Sequence, residues 1–131
     1  MIGPQARILV VDDDPVFRAI AAEALSAVTP HLFEAQDGQA ALRMLSEGRF
    51  DLVLTDINMP RRDGLELIGD IRRQWPDTVV IAITGGSPAA APDLLLKTAG
   101  LMGARVLAKP VRPAALVESV RGALGAFSEP G

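Results

Sequence analysis

At 131 residues the chain is long enough for one domain with its own core and too short for two. Thirteen basic residues stand against sixteen acidic ones, a formal charge of −3, so the chain lacks the basic footprint of a direct nucleic-acid binder. The absence of cysteine removes disulfides and thiolate chemistry, and no apolar run has the length of a membrane span or of a signal-peptide centre, so a soluble cytoplasmic protein with no membrane partner is expected.

The first element is Ile8 to Val11, a continuous aliphatic run too short for a core helix and therefore read as a buried strand. Pro15 suits a first helical turn. Val16, Ile20 and Ala24, beside Phe17, Ala21, Leu25 and Val28, form an apolar stripe, and Arg18, Glu23 and Ser26 are expected to face away from it. His31 to Ala35 is a second, weaker strand. Asp37 can cap a helix through Leu45, and Gly48 is expected to end it in the left-handed conformation that side chains disfavour. Leu52 to Leu54 is a third buried strand, with Asp56 just past its apolar part. A helix over roughly Leu65 to Trp75 puts Leu67, Ile68 and Ile71 on one face, packs Trp75 at its end and stops at Pro76. Val79 to Ile83 is the fourth strand. The stretch "GGSPAAAPDLLLKTAG" then places two glycines and two prolines before its apolar run, which predicts a loop at Gly85 to Ala91 and a short helix around Pro92 to Leu101. Arg105 to Ala108 is the fifth strand. A last helix repeats Leu116, Val120, Leu124 and Phe127 at spacings of three or four.

Strands joined by helices of this length need crossover connections, which makes the sheet parallel and covers both of its faces: a doubly wound α/β domain. All strands of such a sheet end at one edge, and ligands bind outside those carboxyl ends. Asp12 and Asp13 follow strand one, Asp56 ends strand three, Thr84 ends strand four and Lys109 follows strand five. Taken singly, each has an ordinary reading: a turn residue, a strand-end hydroxyl or a solvated amine, and Asp14 is best read as the cap of the helix at Pro15. Taken together, three carboxylates at one edge repel one another unless a cation joins them. Oxygen ligands without His or Cys suit a hard ion, and few protein ligands suit Mg²⁺ better than Ca²⁺.

A carboxylate beside Mg²⁺ and within reach of a lysine can attack phosphorus and form an aspartyl phosphate. Asp56 is the candidate nucleophile, with Lys109 and the metal opposing charge on the phosphoryl oxygens and Thr84 offering a hydroxyl to the product. A second reading is a phosphohydrolase with an aspartate nucleophile, using Asp12 and Asp14 as a D-x-D pair, which leaves Asp56 without a role. A third is a binding module whose phosphorylation is irrelevant, and nothing in the residues favours it.

"ILVVDDDP" (8 to 15), "DLVLTDINMPRRDGLEL" (51 to 67), "IAITGG" (81 to 86) and "VLAKP" (106 to 110) together resemble, in order, the four site motifs of the receiver domain of two-component response regulators, and the likeness runs from about Arg7 to Phe127. The resemblance implies a flavodoxin-like sheet of order 2-1-3-4-5 and a single receiver over 1 to 131. It implies Asp56 as phosphoacceptor, Asp12 and Asp13 as the acidic pair for Mg²⁺, the backbone carbonyl of Asn58 as a further ligand, Lys109 on the phosphoryl oxygens and Thr84 as the switch hydroxyl. It also implies a partner histidine kinase or histidine phosphotransfer protein as donor, a downstream protein target, and slow loss of the phosphoryl group rather than dedicated turnover. The family usually carries an aromatic residue where this chain has Val106. The switch is therefore expected to run through Thr84, Gly85 and the segment to Leu101, with little movement of strand five.

His31, the lone histidine, has no second ligand near it and is expected to be structural or solvent-facing rather than a metal ligand. Arg61 and Arg62, like Arg72 and Arg73, read first as solvated surface pairs, though the first pair follows the third strand closely enough to meet an incoming phosphate or partner. Only "SEPG" follows Phe127, so the expectation is a stand-alone regulator or a phosphorelay shuttle, and a domain cut out of a larger regulator would look the same.

Overall fold

Each of the five runs read as strands becomes one, and because all neighbouring pairs are parallel every connection between them crosses over. A computed structural model describes residues 5–57, 63–84, 100, 103–108 and 111–128, with the backbone alone at 63, 84 and 126–128. Its elements are β1 (Ile8–Val11), α1 (Pro15–Leu25), β2 (Leu32–Ala35), α2 (Gly38–Glu47), β3 (Leu52–Asp56), α3 (Asp63–Gln74), β4 (Val79–Thr84), β5 (Arg105–Ala108) and α4 (Pro113–Ser128). The strands form one sheet of order β2-β1-β3-β4-β5, and every neighbouring pair is parallel. The expected loop at Gly85 to Ala91 and most of the helix at Pro92 to Leu101 lie outside the described residues. Gly100 is helical. Gly103 donates to its carbonyl at 3.0 Å with φ at 89°, a conformation that glycine adopts without strain.

Because helices cover both faces, the central strands run apolar at consecutive rather than alternate positions until their carboxyl ends, where Thr55 and Asp56 follow in β3. Leu9, Val11, Val53, Val80 and Ala82 meet Ala41 and Leu45 of α2 and Leu67, Ile68 and Ile71 of α3. On the opposite face Ile8, Val10, Leu52, Leu54, Ile81 and Ile83 meet Ala21 and Leu25 of α1 and Leu116, Val120 and Leu124 of α4. Val106 is half-buried on edge strand β5 and packs with the α2 and α3 side. Among the described residues, no helix is long and apolar enough to cross a membrane.

Three expectations are corrected. The stripe of α1 is narrower than its sequence suggested: Phe17, Ala21, Leu25 and Val28 belong to the core, whereas Val16 is 64% and Ile20 47% exposed. One residue is a 100° step around a helix, so the row beginning at Val16 turns past the sheet edge while the row beginning at Phe17 faces it. Arg18 does not face away but folds back towards β1 and β2, as described below. Gly48 caps α2 with φ −163° and ψ 159°, an extended conformation open to any residue, because the chain leaves the helix directly towards β3. The remaining differences are at ends: β2 starts at Leu32, β3 reaches Asp56, β4 reaches Thr84, α2 runs to Glu47 and α3 starts at Asp63. Trp75, partly buried against the α3 side of the core, behaves as expected.

Candidate functional site

The ladder register carries the candidate residues to one edge. Val11 pairs with Thr55, Asp56 with Ile83 and Thr84 with Ala108, so β1, β3, β4 and β5 run out nearly level with one another. One residue beyond β1, the Asp12 amide still donates to the Ala35 carbonyl at 3.1 Å, and beyond β3 the Ile57 amide donates to the Ile83 carbonyl at 2.9 Å. The backbone is thus held by the sheet up to the residues that carry the carboxylates.

Asp12 is fully buried and Asp56 is 6% exposed, while Asp13 is exposed. Each presents a carboxylate oxygen, and the three atoms lie within 4.8 Å of one another. Asp12 Oδ1 also accepts from the Asp14 amide at 2.9 Å, a local Asx-type bond that turns the chain out of β1. Asp14 Oδ1 in turn accepts from the Val16 amide at 2.9 Å and caps α1. The predicted cap is therefore observed, and it occupies one of the two carboxylates of the D-x-D pair. The donor set that converges is Asp12, Asp13 and Asp56. An all-oxygen set with two buried members and one open to water fits a hard divalent cation that keeps water ligands, as Mg²⁺ does.

Of the other expected site residues, Thr84 ends β4 at the same edge by its backbone. Asn58, Arg61, Arg62, Gly85 and Lys109 lie outside the described residues. His31 is exposed, and its carbonyl accepts from the Ile8 amide at the start of β1, which puts it at the opposite edge of the sheet.

Two residues here were not singled out by sequence. At Gly64, in the first turn of α3, an added Cβ would overlap Ile57 Cα and lie 2.5 Å from the Asp56 carbonyl oxygen. The helix can approach the end of β3 this closely only because glycine has no side chain. A glycine just inside a helix start is the sequence signal that could have marked it. Arg18 is the second: its Nη1 donates to the Asp12 carbonyl at 2.6 Å and its Nε to Glu34 Oε1 at 3.2 Å. No local pattern distinguishes this arginine from a solvated one.

Comparison with known proteins points the same way. The family model for the response regulator receiver domain matches residues 8–121. Among curated relatives, the sensor histidine kinase RcsC of Escherichia coli K12 is 38% identical over 91 residues, which is 70% of this chain and 10% of RcsC. The response regulator protein FleR of Pseudomonas aeruginosa is 36% identical over 122 residues, 92% of this chain and 25% of FleR. The chain thus spans a tenth to a quarter of the length of these two relatives. Among solved structures, a CheY-like receiver domain protein from Methanospirillum hungatei superposes with a TM-score of 0.84 at 26% identity, covering 96% of this chain and 98% of that one. The chemotaxis response regulator CheY4 of Vibrio cholerae gives 0.78 at 26% identity, covering 90% and 98%. With the five-stranded parallel order, the acidic cluster at its carboxyl edge and a family match over nearly the whole chain, the protein belongs to the receiver domain family of two-component response regulators, the phosphoacceptor module of that signalling system.

Proposed function

We propose that Asp56 is the phosphoacceptor of this receiver and that transfer to it depends on Mg²⁺. The observation that carries the reading is the position of the Asp56 carboxylate: at the end of β3, nearly buried, and within 4.8 Å of the carboxylates of Asp12 and Asp13. Asp12, Asp13, Asp56 and the Asn58 carbonyl would hold the ion, which supplies positive charge against the oxygens of the transferring phosphoryl group. Asp56 attacks phosphorus with one carboxylate oxygen; the new O–P bond replaces the P–N bond of a phosphohistidine, and its electron pair leaves on the imidazole nitrogen. Lys109 neutralises charge on the phosphoryl oxygens, and Thr84 donates its hydroxyl to the product.

The donor in this reading is a histidine kinase or a histidine phosphotransfer protein, and the readout is a changed contact with a downstream protein rather than with nucleic acid. The switch segment begins at Thr84 and Gly85. Turnover by an Asp12 and Asp14 pair is disfavoured because Asp14 Oδ1 is engaged as the α1 cap. The test is intact mass after incubation with acetyl phosphate and Mg²⁺. The wild-type chain is expected to gain one phosphoryl group and Asp56→Asn none; equal labelling of both, or label mapped to Asp12, would overturn the assignment.

A further inference from the structure

The acidic cluster has an asymmetric support. Asp56 is the last residue of β3, which has a partner strand on each side, and it is still in register with Ile83 of β4. Asp12 is held by its amide, which donates to the Ala35 carbonyl, and by its carboxylate, which accepts from the Asp14 amide. Asp13 is exposed, and the direction in which its side chain leaves depends on the plane of the peptide joining it to Asp12. That peptide lies beyond the last paired residue of β1, Val11. Its oxygen is the Asp12 carbonyl, and Arg18 Nη1 donates to it at 2.6 Å. Arg18 closes the first turn of α1 and its side chain is only 18% exposed. From the same guanidinium, Nε donates to Glu34 Oε1 at 3.2 Å, and Glu34 lies on β2 in register with Val10. The planar fork thus bridges α1, β2 and the backbone between the two acidic residues, a span that a point charge cannot reproduce.

We infer that Arg18, anchored by Glu34, is a positioning residue that fixes the peptide between Asp12 and Asp13 and so sets the acidic cluster for a divalent cation. The inference rests on the metal-binding reading above. It has a sign that electrostatics alone does not give. A fixed positive charge on the backbone carbonyl of a ligand residue weakens cation binding, so removing the charge alone would tighten it. Removing a support that orients the ligands loosens it, typically by 10- to 100-fold.

The experiment measures divalent affinity of the full chain through the free-Mn²⁺ signal in electron paramagnetic resonance, with Mg²⁺ added in competition, for wild type, Arg18→Ala, Arg18→Lys and Glu34→Gln. Thermal unfolding without metal reports whether each variant is folded. Wild type is expected to bind one ion. Arg18→Ala should bind it about tenfold more weakly, Arg18→Lys should not recover the loss, and Glu34→Gln should lose affinity by a smaller factor with an unchanged Tm. Equal or tighter binding by Arg18→Ala, or full recovery by Arg18→Lys, would overturn the inference while leaving the metal site standing. If Arg18→Ala does not fold, Glu34→Gln decides, because Glu34 is half-exposed and unchanged affinity there removes the anchor. No ion bound by wild type would instead defeat the metal-binding reading, and this inference with it.

Discussion

Replacing Gly64 by alanine tests how tightly α3 sets Asp56, the proposed phosphoacceptor. The new Cβ would overlap Ile57 Cα, lie 2.5 Å from the Asp56 carbonyl oxygen and 3.1 Å from the carbonyl carbon. All three atoms are backbone, so no flexible side chain can give way, and restoring ordinary contact requires roughly 1 Å of separation between α3 and the end of β3. Overpacking of this kind costs about 1–3 kcal/mol, of which the better helix propensity of alanine offsets roughly 0.5–1. The net loss, about 0–2.5 kcal/mol and centred near 1, lowers Tm by roughly 4 °C at that centre in a domain of this size. With Asp56 as the proposed nucleophile, a 1 Å displacement of its carboxylate would slow transfer by on the order of 100-fold, so labelling by acetyl phosphate should fall well beyond the stability change. Gly122→Ala is the internal control: nothing lies within 4 Å of its added Cβ in the interior of α4, and alanine there should stabilise by about 0.5–1 kcal/mol. Thermal unfolding and the time course of intact mass read both effects. If Gly64→Ala matched Gly122→Ala in Tm and labelled at the wild-type rate, the close approach of α3 would not be what positions Asp56.

Metal binding should weaken as pH falls, because the carboxylates ligate only when ionised, and Asp13→Ala should weaken it at every pH; a calorimetric titration in which that variant binds Mg²⁺ like wild type would remove Asp13 from the site. Loading the chain with beryllofluoride, a phosphoryl mimic, should shift amide resonances of residues 85–101 more than those of Val106 and α4, since a half-buried valine with a restricted χ1 has little room to swing. A response concentrated in Val106 and α4, with residues 85–101 silent, would refute that route.

Much of the fold was legible because a doubly wound sheet writes itself locally. A strand buried on both faces needs an unbroken apolar run, and the short, β-branched-rich runs at Leu52 to Leu54 and Val79 to Ile83 fit that need. Helix caps are equally local: Asp14 and Asp37 each bond an amide two or three residues on. The edge carrying the site follows from the same logic, since parallel strands share a direction and Asp12 and Asp56 come at the ends of theirs.

The tertiary structure alone decided what depends on segments far apart in the chain. Which row of α1 is buried was set by the position of the helix over the sheet, which left Val16 and Ile20 outside. Gly48 took an extended conformation because of where β3 begins, and Gly64 gained its importance from the backbone of Asp56 and Ile57 against it. Arg18 reads as a solvated helix residue until β2 brings Glu34 to it across sixteen positions. Periodicity reports which residues want to leave water, and it is silent on which polar groups then meet. That second question is answered only by the register of the strands and the seating of the helices on them, which are properties of the packed chain and not of any window of sequence.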